Sequence, residues 1–325
     1  MDPRILARLR CPVCAEPLTE ATAGTARALR CPRGHSFDTA RQGYVNLLAG
    51  RAPHAGDSAE MVAARADFLS RDHYRPIATA LAEAARAAMP AHEPAARAAT
   101  VNSGATPARE AAPDREATPD REAAPDREPA AGGGAYPLVV DAGAGTGWYL
   151  AAVLAALPDA VGLALDVAKP ALRRAARAHP RAAAALADTW QRLPLADHST
   201  ALLLNVFAPR NGPEFHRVLD PAGALLVVTP TDAHLTELVD ALGLLRVDPA
   251  KADRVAESLA GHFTEESATE HRARLTLTRA EVATLVGMGP SAWHADPARL
   301  AERIAALPEP VAVTLAVRLG VHRPR

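Results

Sequence analysis

All three cysteines of this 325-residue chain fall within its first thirty-one residues, as Cys11-Pro-Val-Cys14 and then Cys31-Pro-Arg-Gly-His35. Each short turn brings two soft ligands to one side of an ion, and two such turns close a tetrahedron. The spacing C-x2-C-x16-C-x3-H therefore predicts one zinc ion held by Cys11, Cys14, Cys31 and His35. Four protein ligands leave no position for water, so the ion is expected to be structural, and so short a segment to depend on it for folding. A disulfide would strand one cysteine and leave His35 unexplained. Thiols reserved for a metal, with no signal peptide and no apolar run of about 18 residues, point to a cytoplasmic protein with no membrane segment.

The rest of the chain is long enough, at 49% hydrophobic residues, for one large domain beside that module, and its net charge of -1 excludes a bulk polycation. Charge is uneven, because residues 1–51 hold eight arginines (4, 8, 10, 27, 30, 33, 41 and 51) against Asp2, Glu16, Glu20 and Asp38. Such an excess suits phosphate contact, since a planar guanidinium grips two oxygens at once. It equally suits a solvated face.

Residues 92–135 differ from everything around them: an Arg-Glu-Ala-Ala/Thr-Pro-Asp repeat of period six runs from Arg109 to Asp126 and passes into Pro129 and Gly132-Gly133-Gly134. Proline every sixth residue breaks helices, and within the repeat only alanine is available to bury, so the segment reads as a disordered linker. Upstream, 58–89 reads as helical, with Ser58 as cap and Ile77, Leu81 and Ala85 on one apolar face. Downstream, strands at 138–140, 161–165, 201–206 and 224–229 alternate with helices at 147–156 and 169–178, the rhythm of a parallel sheet covered on both faces. Strands at 273–277 and 311–321, with helices near 279–286 and 297–306, predict a sheet finished by an antiparallel strand. The expected organisation is a zinc-binding module at 1–51, a helical connector at 52–91, the linker at 92–135 and a large α/β domain at 136–325.

Asp141-Ala-Gly143-Ala-Gly145-Thr-Gly147 follows the first of these strands and opens the first helix, where a doubly wound sheet binds its nucleotide cofactor. A dinucleotide fingerprint starting at Gly143 would need a small residue at 148. Trp148 stands there, which disfavours a nicotinamide enzyme. The spacing D-x-G-x-G-x-G resembles instead the first motif of class I S-adenosylmethionine-dependent methyltransferases, and the fold class so implied is α/β and Rossmann-like. Asp166 ends the second strand, where a carboxylate can accept from both ribose hydroxyls. Asp188 ends a third, less regular strand, where it either reads the adenine amino group or caps a helix before Trp190. Asn205-Val-Phe-Ala-Pro209-Arg210 ends the fourth strand, and Phe207 there is either a base-stacking ring or core.

Zinc turns, glycine loop and Asn205-Val-Phe-Ala-Pro together resemble the RlmA-type 23S ribosomal RNA (guanine-N1)-methyltransferases. The resemblance spans most of the chain. It includes Gln42-Gly43-Tyr44-Val45-Asn46-Leu47-Leu48, Gly56-Asp57-Ser58-Ala59-Glu60-Met61, His73-Tyr74, Leu165-Asp166-Val167-Ala168-Lys169 and Pro290-Ser-Ala-Trp293. Asn205-Val-Phe-Ala-Pro-Arg-Asn211 and Leu238-Val-Asp-Ala-Leu-Gly-Leu-Leu245 are most similar to the actinobacterial, tylosin-resistance branch. The long linker departs from the family pattern without touching the motif positions.

The resemblance implies an RNA-recognising role for the module at 1–51 and a methyltransferase domain at 136–325, with S-adenosylmethionine as cofactor, Asp141 near its amino group and further contacts from Tyr74, Trp148, Tyr149 and His234. Tyr74 is alternatively a helix-packing aromatic, and Trp148 a lid over the glycine loop without a specific contact. It implies a structural zinc ion, and as substrate a guanine in a domain II hairpin loop of 23S rRNA at the peptide exit tunnel. A small-molecule methyltransferase is the alternative. Whether the chain forms a homodimer is left open. Guanine N1 must lose a proton before it attacks a methyl group. Asp232, His234 and Glu237 are candidate bases beside water, and Asn205 is a candidate for reading the base. Arg210 is expected either to hold a phosphate or to pair with Glu214, four residues on.

Overall fold

Apolar runs without polar alternation, such as Leu138-Val139-Val140 and Leu202-Leu203-Leu204, suit strands covered on both faces. The computed structural model of the chain places them at the centre of an eight-stranded mixed sheet. It describes residues 1–23, 26–50, 54–89, 137–244, 251–289 and 296–325; the linker at 92–135, the 290–293 motif and Leu245 lie outside the described residues.

In the N-terminal part, helix α1 (Pro3–Leu6) precedes strands β1 (Thr19–Ala23), β2 (Ala26–Arg30) and β3 (Ser36–Asp38), which form a small antiparallel sheet, and β4 (Tyr44–Asn46). The region expected to be helical divides into α2 (Ala59–Ser70) and α3 (Arg75–Ala88). Asp72, at φ +63°, breaks the path, and Pro76 restarts it in the first turn of α3. Ser58 caps α2 as expected, its hydroxyl accepting from Met61 N–H at 3.2 Å. Ile77, Leu81 and Ala85 are buried on the inner face of α3.

The large sheet begins with β5 (Leu138–Ala142), α4 (Trp148–Ala156), β6 (Val161–Asp166), α5 (Lys169–Ala175) and β7 (Ala182–Leu186). The chain then crosses to β8 (Thr200–Val206), α6 (Gly212–Val218) and β9 (Leu219–Pro230), followed by α7 (Thr236–Leu242), α8 (Lys251–Ala260) and β10 (Phe263–Leu277). It ends with α9 (Arg279–Gly287), α10 (Pro297–Ala305) and β11 (Val311–Pro324). The spatial order is β10-β11-β9-β8-β5-β6-β7-β4. β11 enters antiparallel between β9 and β10, as the C-terminal alternation predicts. Because β6 and β8 flank β5 while the chain winds first one way and then the other, the ends of these strands form the switch point at which such sheets bind ligands.

Alternate residues serve alternate faces. Val139, Ala164, Leu202 and Leu204 pack with α3 and α4 on one side, while Val140, Leu163, Leu203 and Val227 pack on the other with Phe215 and Val218 of α6. That second core also takes in Ile5, Leu9, Leu18, Leu29, Phe37 and Val45. β4 adds itself parallel to β7 at the sheet's edge, Tyr44 opposite Ala184 and Asn46 opposite Leu186. The N-terminal segment that carries the three cysteines and the large sheet therefore share one core.

Candidate active site and zinc centre

At the end of β5 the chain must turn sharply, and the N–H groups of Gly143 and Ala144 both donate to Leu165 O, at 2.9 and 3.0 Å. Gly143, Gly145 and Gly147 take φ values of +83°, +54° and +77°, which residues with a side chain adopt only with strain. Asp166 fixes the loop, since one carboxylate oxygen accepts from Gly145 N–H and the other from Ala168 N–H, each at 2.8 Å. Burial raises its pKa, and those two N–H groups oppose the rise. Each oxygen keeps a lone pair for a hydroxyl donor.

Asp141 is different, because it is 1% exposed and neither carboxylate oxygen has a hydrogen-bond partner among the described residues. Burial, reinforced by the charge of Asp166, pushes its pKa up to about 8. An unpaired buried carboxylate is costly, so the site fits a cationic ligand group such as an ammonium. With no cofactor bound, folded Asp141 keeps its proton up to about pH 8, whereas an unfolded aspartate releases it near about pH 3.9. The unfolded state thus binds fewer protons between those values, and this group's contribution to stability falls as pH rises through that window. In a thermal-melt series without cofactor, Asp141→Asn should flatten the decline between pH 5 and 8 and raise Tm at pH 8 by roughly 4 °C or more. Parallel curves for the two proteins would refute the assignment.

Around this loop the side chains come from distant segments. Trp148 and Tyr149 begin α4 with rings 5.1 Å apart, edge to face. Tyr74, just before α3, lies 6.4 Å from Phe207 and 6.2 Å from His234 between ring centroids, and Phe207 lies 6.1 Å from His234. Phe207 is 41% exposed at φ +53°, so it is not a core residue. His234 Nδ1 accepts from Ala316 N–H at 3.2 Å, which in the neutral ring puts the proton on Nε2.

Asn205 is fully buried, and its amide donates to Ala142 O at 3.2 Å and Pro209 O at 2.8 Å. Both donors therefore tie the β8 turn to β5, leaving Oδ1 without a partner among the described residues. Asp188 Oδ1 accepts from Trp190 N–H at 3.0 Å, and Oδ2 lies 2.9 Å from His54 Nδ1. The helix expected at this point does not form: Asp188 caps a turn instead, with a histidine partner that the sequence reading missed. Asp232 is exposed between β9 and α7. Glu237 is committed to structure, accepting from Thr314 N–H and Oγ1 and pairing with Arg274. The expected Arg210–Glu214 pair does not form: Glu214 binds Arg217 at 2.6 Å, while the Arg210 Nε is buried without a partner among the described residues.

The four candidate metal ligands converge in the N-terminal part of the chain. Their donor atoms all lie within 4.8 Å of one another: Cys14 Sγ to Cys31 Sγ 3.7 Å, Cys11 Sγ to His35 Nδ1 3.6 Å, Cys31 Sγ to His35 Nδ1 3.3 Å. Zinc–sulfur bonds of about 2.3 Å in a tetrahedron put sulfurs roughly 3.8 Å apart, and sulfur to nitrogen slightly less. The cage fits one zinc ion.

Comparison with known proteins agrees with this geometry. Residues 9–52 match the profile of the RlmA N-terminal zinc ribbon. A Micromonospora griseorubida protein named as a candidate 23S rRNA (guanine-N(1)-)-methyltransferase is 62% identical over 328 residues, covering 100% of both chains. The 23S rRNA (guanine(748)-N(1))-methyltransferase of Streptomyces fradiae is 47% identical, covering 100% of this chain and 99% of its own. A Bacillus subtilis protein also named as a candidate 23S rRNA (guanine-N(1)-)-methyltransferase is 27% identical, covering 90% of this chain and 89% of its own. With its zinc ribbon, its Rossmann-like sheet and this identity over its full length, the chain belongs to the RlmA-type 23S rRNA (guanine-N1)-methyltransferase family.

Proposed function

We propose that the protein transfers the methyl group of S-adenosylmethionine to N1 of a guanine in the domain II hairpin loop of 23S rRNA that lines the peptide exit tunnel. The observation that carries this reading is a Cys3His cage and a glycine loop with an unpaired buried carboxylate, built on one core in a chain with full-length rRNA methyltransferase relatives. A small-molecule substrate is not favoured by those relatives. Similarity to the tylosin-resistance branch extends the reading to protection of the ribosome from tylosin-like drugs.

When bound, the cofactor supplies an electrophilic methyl group on a sulfonium. Asp141 would face its ammonium and Asp166 its ribose hydroxyls. Tyr74, Trp148, Tyr149 and His234 would line the space, and Asp188, tied to His54, would stand at the adenine end. A guanine inside a folded loop must be unstacked to reach this crevice, and an exposed aromatic at a strand end can replace the lost stacking. Phe207 occupies that position. Guanine N1 gives up its proton to Asp232 or to water, since Glu237 and the Asn205 amide are engaged in the fold and the one acceptor nitrogen of neutral His234 is taken by Ala316 N–H.

In the ribbon, Arg30, Arg33 and Arg41 are exposed and would meet the RNA stem. Primer extension on 23S rRNA is the direct test, because a methyl at N1 blocks Watson–Crick pairing. The expected result is an enzyme-dependent stop one nucleotide before a single hairpin guanine. Arg33→Ala with Arg41→Ala should weaken RNA binding and reduce the salt slope by about one to two. No stop on unmodified rRNA, with transfer of labelled methyl to a metabolite extract, would favour the small-molecule alternative.

A further inference from the structure

We propose that Arg65 binds the carboxylate of the cofactor's methionine moiety and that Asp57 holds its guanidinium in place. The inference rests on S-adenosylmethionine being the cofactor. Arg65 lies on α2, outside the large-domain sequence that carries the glycine loop. Yet a Cβ placed on Gly145 would be only 3.4 Å from Arg65 Nη1, so the guanidinium lies directly against the loop. Arg65 is oriented from two sides: Nη1 pairs with Asp57, and Nη2 donates to Met288 O at 3.0 Å where α9 ends. A guanidinium has five N–H donors, so donors remain for a ligand beside these two bonds.

The position is held by a strap that follows the strand ends. His54 meets Asp188 just past β7, and Gly56 packs so closely on Ala168, past β6, that a Cβ there would be 2.9 Å from the Ala168 Cα and Cβ. Arg65 then meets Gly145, past β5. The charges facing the loop are ordered to match a zwitterion. Asp141 offers an unpaired carboxylate to the ammonium, and Arg65 offers a planar fork suited to a carboxylate. The charge of Arg65 is felt at Asp166, where that of Asp57 opposes and outweighs it, and at Tyr149, whose ionisation it favours.

Two ligands separate this role from a structural one. S-adenosylhomocysteine carries the amino acid; 5′-methylthioadenosine keeps the adenosine and the sulfur but has no carboxylate. In calorimetric titrations Arg65→Ala should weaken S-adenosylhomocysteine roughly ten- to a hundredfold, the range of a charged hydrogen bond, and leave 5′-methylthioadenosine within about twofold. Arg65→Lys should recover part of the loss, and Asp57→Asn should lose less than Arg65→Ala. Equal weakening of both ligands would make Arg65 a tie between α2 and α9 and overturn the proposal. Unchanged S-adenosylhomocysteine affinity would overturn it as well. Failure of the unmodified protein to bind either ligand would instead refute the cofactor reading on which it stands.

Discussion

Serine in place of Cys31 is expected to empty the zinc site, unfold the ribbon and weaken cofactor binding at a distance. The first two effects follow from energetics. Structural zinc contributes about 10–16 kcal/mol in isolated finger peptides, as much as the whole stability of a typical domain, about 5–15 kcal/mol. A segment whose antiparallel strands are only three to five residues long has no comparable reserve of its own.

The third effect follows from the shared core. Cys11 and Cys31 are buried with Leu9, Leu29, Phe37 and Val45 against Leu138, Leu163 and Leu165. Leu47 N–H donates to Leu186 O at 2.9 Å, continuing the pairing of β4 with β7, and Asp188 stands two residues beyond. Leu9 forms an isolated antiparallel bridge with Leu195, and Arg10 N–H donates to Pro194 O at 3.0 Å. Loss of the ribbon would therefore release the edge of the sheet where the adenine end of the cofactor is placed. Metal analysis should fall from one zinc per chain to none, and limited proteolysis should cut within the first fifty residues. S-adenosylhomocysteine affinity should drop roughly tenfold, the effect of losing about 1.4 kcal/mol of support. Unchanged affinity in a zinc-free protein would show that the two parts are energetically separate despite their contact.

That coupling was not legible in the sequence, which marks the ribbon as a module because its ligands are local. Pairing of β4 with β7 is a contact between residues about 140 apart in sequence, and nothing in Tyr44-Val45-Asn46 specifies its partner. β7 itself is Ala182-Ala-Ala-Ala-Leu186, with four residues of poor strand propensity. It is a strand because β6 and β4 bond to it from both sides. β10 shows the same effect. Only its last five residues alternate recognisably, yet it runs from Phe263 to Leu277, paired with β11 along its length but for a bulge at Glu266, and tied to it by the Arg318–Glu265 and Arg323–Glu266 ion pairs.

What was legible had a local physical cause. The buried runs of β5, β6 and β8 and the turn glycines between them fixed the sheet and its ligand-binding end. At the site, the sequence could nominate Asp141, Asp166 and the zinc ligands, because their spacing carries the chemistry. It could not nominate Arg65 or His54. Their roles depend on a strap that folds back onto strand ends about 80 to 130 residues away.

Alanine at position 143 should abolish methyl transfer while leaving the protein folded, for two reasons that can be separated. At φ +83° any side chain costs about 1–2 kcal/mol. In addition, the new Cβ would fall well inside van der Waals contact of Ala208 Cβ. Ala208 cannot easily retreat. Phe207 before it is already at φ +53°, and the carbonyl of Pro209 after it is held by the Asn205 amide at 2.8 Å. Relief must therefore come from the glycine loop or from the turn that carries Phe207, and both belong to the site. S-adenosylhomocysteine affinity should fall at least about a hundredfold, since displacement of the loop removes several contacts at once. Gly50→Ala supplies the control for backbone strain, because Gly50 has φ +94° with nothing among the described residues within 4 Å of the added methyl. It should lose stability by a similar backbone cost and keep cofactor affinity. Ala208→Gly combined with Gly143→Ala removes the collision and leaves only the strain, so affinity should return by at least about tenfold relative to Gly143→Ala alone. A double-mutant cycle without that recovery would show that the dihedral, and not the close approach of β8 to the glycine loop, is what position 143 protects.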